Sequence, residues 1–573
     1  MAELPADFIP QSAAEAVLVR LKQHGIDYLF ANAGTDFAPV IETYARNQQT
    51  ELPVPMPVTA PHETAAVAMA HGYYLATGKP QAVMVHVNVG LANALMGVIN
   101  AASDNIPIFM MAGRTPSTEG ARLGARSLPI HWGQDMRDQS SIVREFVKWE
   151  YELKSPEQAA DLIDRGYAIA MSEPRGPVYL GLPREPLGGD WPKDTPLGPP
   201  RHAASSPPAP DPEALETAAD LIAAAKKPLI IAQRGDPEGA LSQALDVFCD
   251  RYAIPVAEFW PSCNLIASNH PMHVGFDPGA MLAEADLVIV LDALVPWIDS
   301  GQRPNPDAEV IQIGPDPLFS RVPIRGFRSS LSLTAKPADA LTVLSTVIED
   351  RHASLAGNSK QRRRDIAKFT DTRRDAAQAK AESGGGCPMT PAFVSKCLSD
   401  TLPDDARIFA ELGCDPSVMS FAGGNRYFSH ALAGGLGWGL PAALGAALAD
   451  RDRLAVACIG DGSYMFANPV ACHQIAEANA LPVLTIVFNN GVWNAVRKTT
   501  KMMYPDGKAA RMNDMPMSSL EPSPDYAMIA AASRAWSTTI ADGKELAAAI
   551  AEALKVIATE RRQAMIEVMV TQD

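Results

Sequence analysis

Residues 454–493 read LAVACIGDGSYMFANPVACHQIAEANALPVLTIVFNNGVW, and the fold reading turns on this stretch. Leu454 to Ile459 is a short, continuous apolar run, as expected of a strand covered on both faces. In Gly460-Asp461-Gly462, two glycines permit a tight turn and a close approach of the backbone to another group. A helical segment then runs to about Ala480. Pro482 follows, and a second β-rich run, Val483 to Phe488, ends in Asn489-Asn490-Gly491. Strand, crossover helix and parallel strand make a βαβ unit, which delivers Asp461 and Asn490 to one carboxyl edge of a sheet. Open α/β sheets bind ligands at that edge. A carboxylate and an amide oxygen suit a hard divalent cation that keeps positions for phosphate oxygens. Gly462 and Ser463, at a helix start, offer N–H groups to a diphosphate. GDG or NNG alone would be an ordinary turn. Asn490 follows Asp461 by 29 positions with the elements correctly ordered between them, and this spacing carries the reading.

At 573 residues the chain is long enough for three domains of ordinary size. Its 47% hydrophobic and 20% charged residues are those of a soluble globular protein. A net charge of −16 argues against nucleic-acid binding. The lone basic run Arg362-Arg363-Arg364 reads as a solvated helix face. Seven scattered cysteines without a CxxC pattern fit reduced thiols in a cytoplasm. The start, MAELPADFIPQ, lacks a signal pattern. Ala431 to Ala449 is the most apolar stretch, but its glycines and proline suit a buried helix rather than a membrane span.

Helices and strands alternate up to about residue 190. Ser12 to His24 is an amphipathic helix, and the strand Tyr28-Leu29-Phe30 ends in Ala31-Asn32-Ala33-Gly34-Thr35. Ala60-Pro61-His62-Glu63-Thr64 opens a small-residue helix. Gln81 to His86 is a strand running into Val87-Asn88-Val89-Gly90, and Ile106 to Ala112 is a further strand. VREFVKWEYEL reads as a helix before the strand Pro177 to Leu182. This is the grammar of a doubly wound parallel sheet. A Pro-rich linker, 189–212, separates this first domain (1–188) from a second α/β domain, 213–350. A charged, helical, then Gly-rich stretch, 351–388, suits a second linker before a third α/β domain, 389–573. The expected fold is therefore α/β, with three doubly wound parallel-sheet domains. No internal repeat is visible in the letters.

The whole length resembles the thiamine diphosphate (ThDP) enzymes of the acetolactate synthase, pyruvate oxidase and benzoylformate decarboxylase group. Their signature is GDG, some 25 to 30 residues, then NN. Their order is a pyrimidine-binding, a middle and a diphosphate-binding domain. Three further stretches carry the resemblance: PHETAAVAMAHGYYLATGKP; Ala433 to Pro441, AGGLGWGLP; and the pair FANAGTDF and HVNVG. The crossover near Phe466-Ala467-Asn468-Pro469 is about two residues longer than in comparable relatives.

The resemblance implies a role for each. Glu63 is similar to the glutamate that activates the cofactor, with a first-turn surface glutamate as the ordinary alternative. Leu436 would prop the bent cofactor and Gly434 would offer its carbonyl to the aminopyrimidine. Gly460, Asp461, Gly462, Ser463, Asn490 and the Val492 carbonyl would hold ThDP and Mg²⁺, the metal on Asp461, Asn490 and Val492. His86 ends a strand at the ligand edge, as a proton shuttle or equally as a structural histidine. Asn32, Thr35 and Asn88 could bind a substrate carboxylate or hydroxyl, though turn chemistry explains them as well. Trp493 is either a pocket wall or a core aromatic. His62 reads simply as a helix-start residue. The second active-site histidine of benzoylformate decarboxylases has no counterpart in Asp292 to Asp299. In the middle domain Ala232 to Gly239, AQRGDPEG, is a poorer diphosphate cradle than a Gly-rich turn. The reading there favours no flavin (FAD) over flavin, and makes Arg234 a surface arginine rather than a nucleotide contact.

The implied activity is ThDP- and Mg²⁺-dependent, non-oxidative decarboxylation of a 2-oxo acid. It would give an aldehyde or, with a carbonyl acceptor, a 2-hydroxyketone. The alternatives are an acetolactate synthase and a non-catalytic regulatory subunit of the same fold. Family members place the glutamate and the diphosphate site on different subunits, which implies a homodimer or homotetramer. No nucleic-acid or membrane partner is expected.

Overall fold

A computed structural model describes residues 4–352, 355 and 359–572. The first three residues of the chain, and residues 353, 354 and 356–358 of the second expected linker, lie outside the described residues. Three six-stranded parallel sheets organise the chain. The first holds β1 (Tyr28–Asn32), β2 (Met56–Thr59), β3 (Gln81–Val85), β4 (Ile108–Arg114), β5 (Glu150–Glu152) and β6 (Val178–Pro183). Its order is β2-β1-β3-β4-β6-β5. The second holds β7 (Pro228–Ala232), β8 (Val256–Glu258), β9 (His273–Gly275), β10 (Leu287–Leu291), β11 (Glu309–Gly314) and β12 (Leu331–Thr334), in the order β12-β11-β10-β7-β8-β9. The third holds β13 (Arg407–Glu411), β14 (Tyr427–Ser429), β15 (Ala455–Gly460), β16 (Val483–Asn489), β17 (Trp536–Ile540) and β18 (Ala564–Met569), in the order β14-β13-β15-β16-β18-β17.

Central strands such as QAVMV, LVIVL and VLTIVFN are buried along their whole length. Helices cover both faces of such sheets, so the strands read as continuous apolar runs rather than alternating ones. Numbered within each sheet, the first and third share one strand order, 2-1-3-4-6-5. The second reads 3-2-1-4-5-6, the order of dinucleotide-binding sheets. The order reverses between β1 and β3, between β7 and β10, and between β13 and β15. Ligand crevices open at such points.

The chain forms two compact units. One comprises Met1–Ser206 with Ala431–Ala449, and the other Pro207–His430 with Asp450–Asp573. In the first unit the buried helix Gly439–Ala449 lies against the helix Glu63–Thr77 backbone to backbone. A Cβ on Gly72 would stand 2.0 Å from the Ala442 carbonyl oxygen, and one on Gly445 would stand 2.0 Å from that of Met69. Only glycine fits at either crossing point.

Several elements differ from the sequence reading. VREFVKWEYEL is not a helix. Glu150–Glu152 is the edge strand β5, and Trp149 accepts from the Tyr179 N–H at 2.9 Å while the Leu153 N–H donates to Gly181 at 2.9 Å. Alternating Val147, Trp149, Tyr151 and Leu153 suit an edge of β6 that would otherwise lack a partner. The crossover of the third sheet is two helices, Asp461–Phe466 and Pro469–Ala478, broken where Asn468 adopts a φ of 53°. The basic run is not a solvated face. Arg362 donates to the carbonyls of Tyr252 (2.6 Å) and Ala253 (2.8 Å), and Arg363 reaches Asp250. These arginines satisfy the last carbonyls of the helix Ala240–Tyr252, which has no successor turn to do so. They lie on the helix Lys360–Glu382, which buries Ile366, Thr370 and Ala381.

Candidate active site

The third sheet builds its ligand edge from the ends of β13, β15 and β16. Asp461 begins the helix after β15 and is 3% exposed. Its Oδ1 accepts from the Gly462 N–H and its Oδ2 from the Gly491 N–H, both at 2.8 Å. The Gly462 N–H is thus engaged within the loop rather than free for a ligand, contrary to the sequence reading. Asn490 Oδ1 accepts from the Val492 N–H at 3.0 Å. The loop is braced from below: Asn489 Oδ1 takes the Gly491 N–H (3.0 Å), while Asn489 Nδ2 donates to Glu567 (2.7 Å). Glu567 in turn accepts from the Thr539 hydroxyl (2.8 Å). Burial pushes the Asp461 carboxyl up, against the pull of the N–H groups of Gly462 and Gly491. A cation beside it would offset that desolvation.

A cavity of about 840 Å³ opens here, between the β13 loop Leu412–Asp415 and the residues Asp461, Ser463, Asn490 and Trp493. Lys380 and Lys498 stand at its wall, a positive contribution that GDG and NN do not signal. Ser463 Oγ is buried without a hydrogen-bond partner. A Cβ on Gly462 would stand 2.3 Å from the Trp493 ring, so the glycine makes room for the indole. Trp493 packs edge-on against Phe466 at 5.8 Å and is only partly buried. Among the described residues no three His, Cys, Asp or Glu side chains form a metal cluster. Any cation would therefore need carbonyl, amide or ligand oxygens, the hard-donor pattern of Mg²⁺.

In the first unit Glu63 is the first residue of its helix and is buried. His62 caps that helix, its ring Nδ1 accepting from the Thr64 N–H at 3.3 Å. Asn93 donates to Glu63 Oε2 at 3.2 Å, and a Cβ on Gly90 would come 3.2 Å from Oε1. Seven residues on, on the same helix Val87–Ser103, Asn100 exchanges two hydrogen bonds with the Gly435 backbone (2.8 and 3.1 Å). This helix thus ties Glu63 to the Gly434–Leu436 turn. Gly434 adopts a φ of 70°, and Leu436 is half-buried. Asn93 and Asn100 escaped the sequence reading, although their spacing of seven on an apolar helix was a usable signal.

His86 follows β3, and Asp36 follows β1, so the reversal point of the first sheet brings them together. His86 Nδ1 lies 2.5 Å from Asp36 Oδ1, and the Gln134 amide nitrogen lies 3.2 Å from His86 Nε2. The hydrogen bond to Asp36 holds the His86 pKa above its ordinary value. Thr35, Asp36, His131, Gln134, Arg114 and Arg184 line a small pocket of about 10 Å³. Thr35 is exposed and Asn32 half-buried; Asn88 Oδ1 is buried without a partner. Neither asparagine lines that pocket.

The reversal point of the second sheet is filled by its own side chains. Arg234 after β7 is buried, not at the surface, and pairs with Asp292 after β10 at 3.2 Å. Arg234 and Arg325 both stack on Phe319, at 5.1 and 4.5 Å. Arg325 also donates to the carbonyls of Ala293 and Leu294 and to Gln312.

The chain matches three family descriptions of the thiamine pyrophosphate (diphosphate) enzymes: the N-terminal binding domain over residues 11–142, the central domain over 215–344 and the C-terminal binding domain over 412–568. It belongs to the ThDP-dependent enzymes. Among its relatives are a sulfoacetaldehyde acetyltransferase of Rhodobacter capsulatus, 24% identical over 98% of this chain and 94% of that one. Another is a benzoylformate decarboxylase of Pseudomonas aeruginosa, 26% identical over 83% and 85% of the two chains. The acetolactate synthase large subunit of Lactococcus lactis is 22% identical over 98% and 93%. The benzoylformate decarboxylase structure from Polynucleobacter necessarius shares the fold, with a TM-score of 0.79, 23% identity and coverage of 98% and 99%.

This ThDP enzyme is thus related to decarboxylases, carboligases and acetyltransferases. The residues at the third-sheet edge fit the cofactor's diphosphate on their own chemistry: an orphaned serine hydroxyl, a buried carboxylate in need of a cation, and two lysines around one cavity. Among the described residues no helix is long and apolar enough to cross a membrane.

Proposed function

We propose that this enzyme is a non-oxidative, Mg²⁺-dependent decarboxylase or carboligase of a 2-oxo acid. The observation that carries the proposal is the pairing of Asp461 and Asn490 on adjacent strand ends, opening on a cavity of about 840 Å³. Asp461, Asn490 and the Val492 carbonyl would hold Mg²⁺. Gly460, Gly462, Ser463 and the nearby lysines would surround the diphosphate. Glu63 would bond the pyrimidine ring, with Asn93 fixing its carboxylate, and Gly434 and Leu436 would contact the cofactor's rings. ThDP, when bound, supplies the electron sink through which a 2-oxo acid loses carbon dioxide.

The protein's own part is orientation, exclusion of water and movement of one proton, and His86 is the group proposed to hold that proton. Asn32, Thr35, Asn88 and Trp493 would contact donor or acceptor; the unpartnered Asn88 Oδ1 supports a polar contact there. The side chains at the β7–β10 reversal point occupy the crevice a flavin would need, which favours a flavin-free enzyme over an acetolactate synthase with flavin. Glu63, Asp461 and Asn490 together argue against a non-catalytic subunit. A homodimer is the least assembly, with Glu63 of one subunit serving the diphosphate site of the other, and a homotetramer fits equally. The domain boundaries 1–188, 213–350 and 389–573 and a cytoplasmic setting belong to the same proposal, the latter supported by seven unpaired thiols.

Calorimetry with ThDP and Mg²⁺, followed by product analysis from a panel of 2-oxo acids with and without aldehydes, tests it. Aldehyde or 2-hydroxyketone with released carbon dioxide is the expected result. Acetolactate from pyruvate would favour the synthase, and absence of Mg²⁺-dependent ThDP binding would overturn the proposal.

A further inference from the structure

We propose that Asp36 and Gln134 are positioning residues that hold His86 as an imidazolium, so that the histidine enters the reaction as an acid. This rests on the decarboxylase reading. A 2-oxo acid anion that loses carbon dioxide must take up one proton to leave as an aldehyde. His86 Nε2 would give that proton and recover it from solvent.

Geometry carries the inference. Asp36 is 3% exposed, and both its oxygens are spent on the same two residues: Oδ1 on His86 Nδ1 at 2.5 Å, Oδ2 on the Val87 N–H at 3.1 Å. A carboxylate bound this way fixes both the ring's orientation and which nitrogen faces the pocket. Space is given up for it on two sides. A Cβ on Gly34 would lie 2.2 Å from His86 Nδ1, and one on Gly113 would lie 1.6 Å from Asp36 Oδ2. Val87 has a φ of 36°, a conformation a β-branched residue rarely adopts, and the Asp36 carboxylate holds its N–H there. Strain of this kind persists only where the surroundings over-determine it.

Gln134 makes the second constraint. Placed with its amide nitrogen 3.2 Å from His86 Nε2, it leaves its Oε1 buried without a donor. The two orientations of an amide are isosteric. As placed, the Gln134 amide donates to an unprotonated Nε2; turned over, Oε1 accepts from a protonated Nε2 and the amide nitrogen takes the place where Oε1 has no partner. With Asp36 accepting from Nδ1, both ring protons then have acceptors.

The charged neighbours divide in the same sense. The Asp36 hydrogen bond, and more weakly the charges of Asp36 and Glu63, raise the His86 pKa against burial. His131, which lines the small pocket beside Asp36 and Gln134, is pushed the other way, by burial first and then by Arg184, Arg126 and His86. Its Nδ1 accepts from the Ser127 N–H at 3.0 Å, which keeps that ring neutral with its hydrogen on Nε2. Two neighbouring titratable groups pushed apart in this way mark an acid and a neutral donor.

The test is an NMR pH titration of the apoprotein carrying ¹³C-labelled histidine, with the His86 signal assigned through His86→Gln. The wild-type midpoint should lie above the value of about 6.5 for a free imidazole. Asp36→Asn, which is isosteric, should move it down, Gln134→Leu should move it down less, and Gln134→Glu should move it up. In the loaded enzyme the basic limb of kcat/KM should move with the NMR midpoint in each variant, and Asp36→Asn should lose about 10²-fold or more of the rate. Asp36→Glu should recover part of both. An unmoved midpoint in Asp36→Asn, or in the Gln134 pair should Asp36→Asn not fold, overturns the inference even if decarboxylation proceeds. Shifted midpoints in a protein that releases no carbon dioxide from any 2-oxo acid would leave the positioning roles standing and sink the decarboxylase reading instead.

Discussion

Replacing Glu567 by leucine removes the brace under the proposed metal loop without touching the loop itself. Glu567 accepts from Asn489 Nδ2 at 2.7 Å and from the Thr539 hydroxyl at 2.8 Å, and it is 5% exposed. Leucine would leave the buried Asn489 amide without an acceptor, a penalty of about 1–3 kcal/mol, whereas the exposed Thr539 hydroxyl can turn to water. The system can relieve the penalty on Asn489 by rotating its amide, but rotation takes Oδ1 away from the Gly491 N–H. Gly491 sits between Asn490 and Val492, so the expected loss appears in metal affinity. Outer partners of metal ligands are typically worth about 10–100-fold in affinity, or about 1.4–2.8 kcal/mol at 1.4 kcal/mol per decade. That span agrees with losing the acceptor of the one buried donor, Asn489. Glu567→Gln is the control. Its Oε1 can still accept from Asn489, and its Nε2 can donate to the Thr539 oxygen once that hydroxyl rotates. Only the charge assistance goes, about 1 kcal/mol per bond, so the glutamine variant should lose several-fold less than the leucine variant. Mg²⁺ titration by calorimetry at saturating ThDP measures both. A folded Glu567→Leu protein that binds Mg²⁺ as tightly as wild type would show that the brace does not set the loop.

Glu63→Gln should abolish nearly all turnover, about 10²-fold or more, while circular dichroism and the melting temperature stay close to wild type; near-normal activity would refute its role. Gly462→Ala puts a methyl 2.3 Å from the Trp493 ring. Overpacking of about 1–3 kcal/mol should displace the indole and weaken ThDP binding in a calorimetric titration, whereas unchanged binding would mean the ring moves freely. His71 and His473 are buried, with pKa values pulled down by burial to about 3 and about 4. Both take up a proton on unfolding below about pH 6.5. Stability should therefore fall as the pH drops from there towards 4, by up to about 1.4 kcal/mol per unit for each. Denaturant melts of wild type and His71→Phe at several pH values check this, and equal slopes for the two would contradict it.

The sequence was most readable where the chemistry and the backbone period agree. Asp461 and Asn490 emerge on neighbouring strands because an apolar run, a helix and a second apolar run leave one arrangement for a parallel pair. Glu63 at the head of its helix was readable for the same reason. The misses have a common cause, which is that the deciding partner is distant in sequence. The end of VREFVKWEYEL, Glu150–Glu152, becomes a strand because β6 offers it an edge. Arg362 and Arg363 look like a solvated run until the end of the helix Ala240–Tyr252, more than a hundred positions earlier, needs donors. Arg234 is buried because Asp292 and Phe319 receive it. Asp36 and Gln134 have no meaning as letters until two strand ends and a distant turn bring them to His86.

The shared strand order of the first and third sheets explains why function splits between them although no repeat shows in the sequence. Topology fixes where a crevice opens, at the reversal between β1 and β3 and between β13 and β15, and it does so whatever residues occupy the loops. The residues then decide what the crevice does. After β13 and β15, short and glycine-bearing turns leave about 840 Å³ beside a buried carboxylate and two lysines, chemistry for a metal-bound diphosphate. After β1 and β3, Asp36, His131, Gln134 and two arginines leave a pocket of only about 10 Å³ beside His86, the proposed proton holder. After β7 and β10, in the order that elsewhere takes a dinucleotide, two arginines stacked on Phe319 and an ion pair to Asp292 fill the opening. A bound nucleotide would have to displace a buried ion pair, and breaking such a pair costs about 3–5 kcal/mol. The ion pair and the two stacked arginines therefore support the flavin-free reading of the middle sheet proposed above, which leaves the proposed ThDP chemistry to the other two.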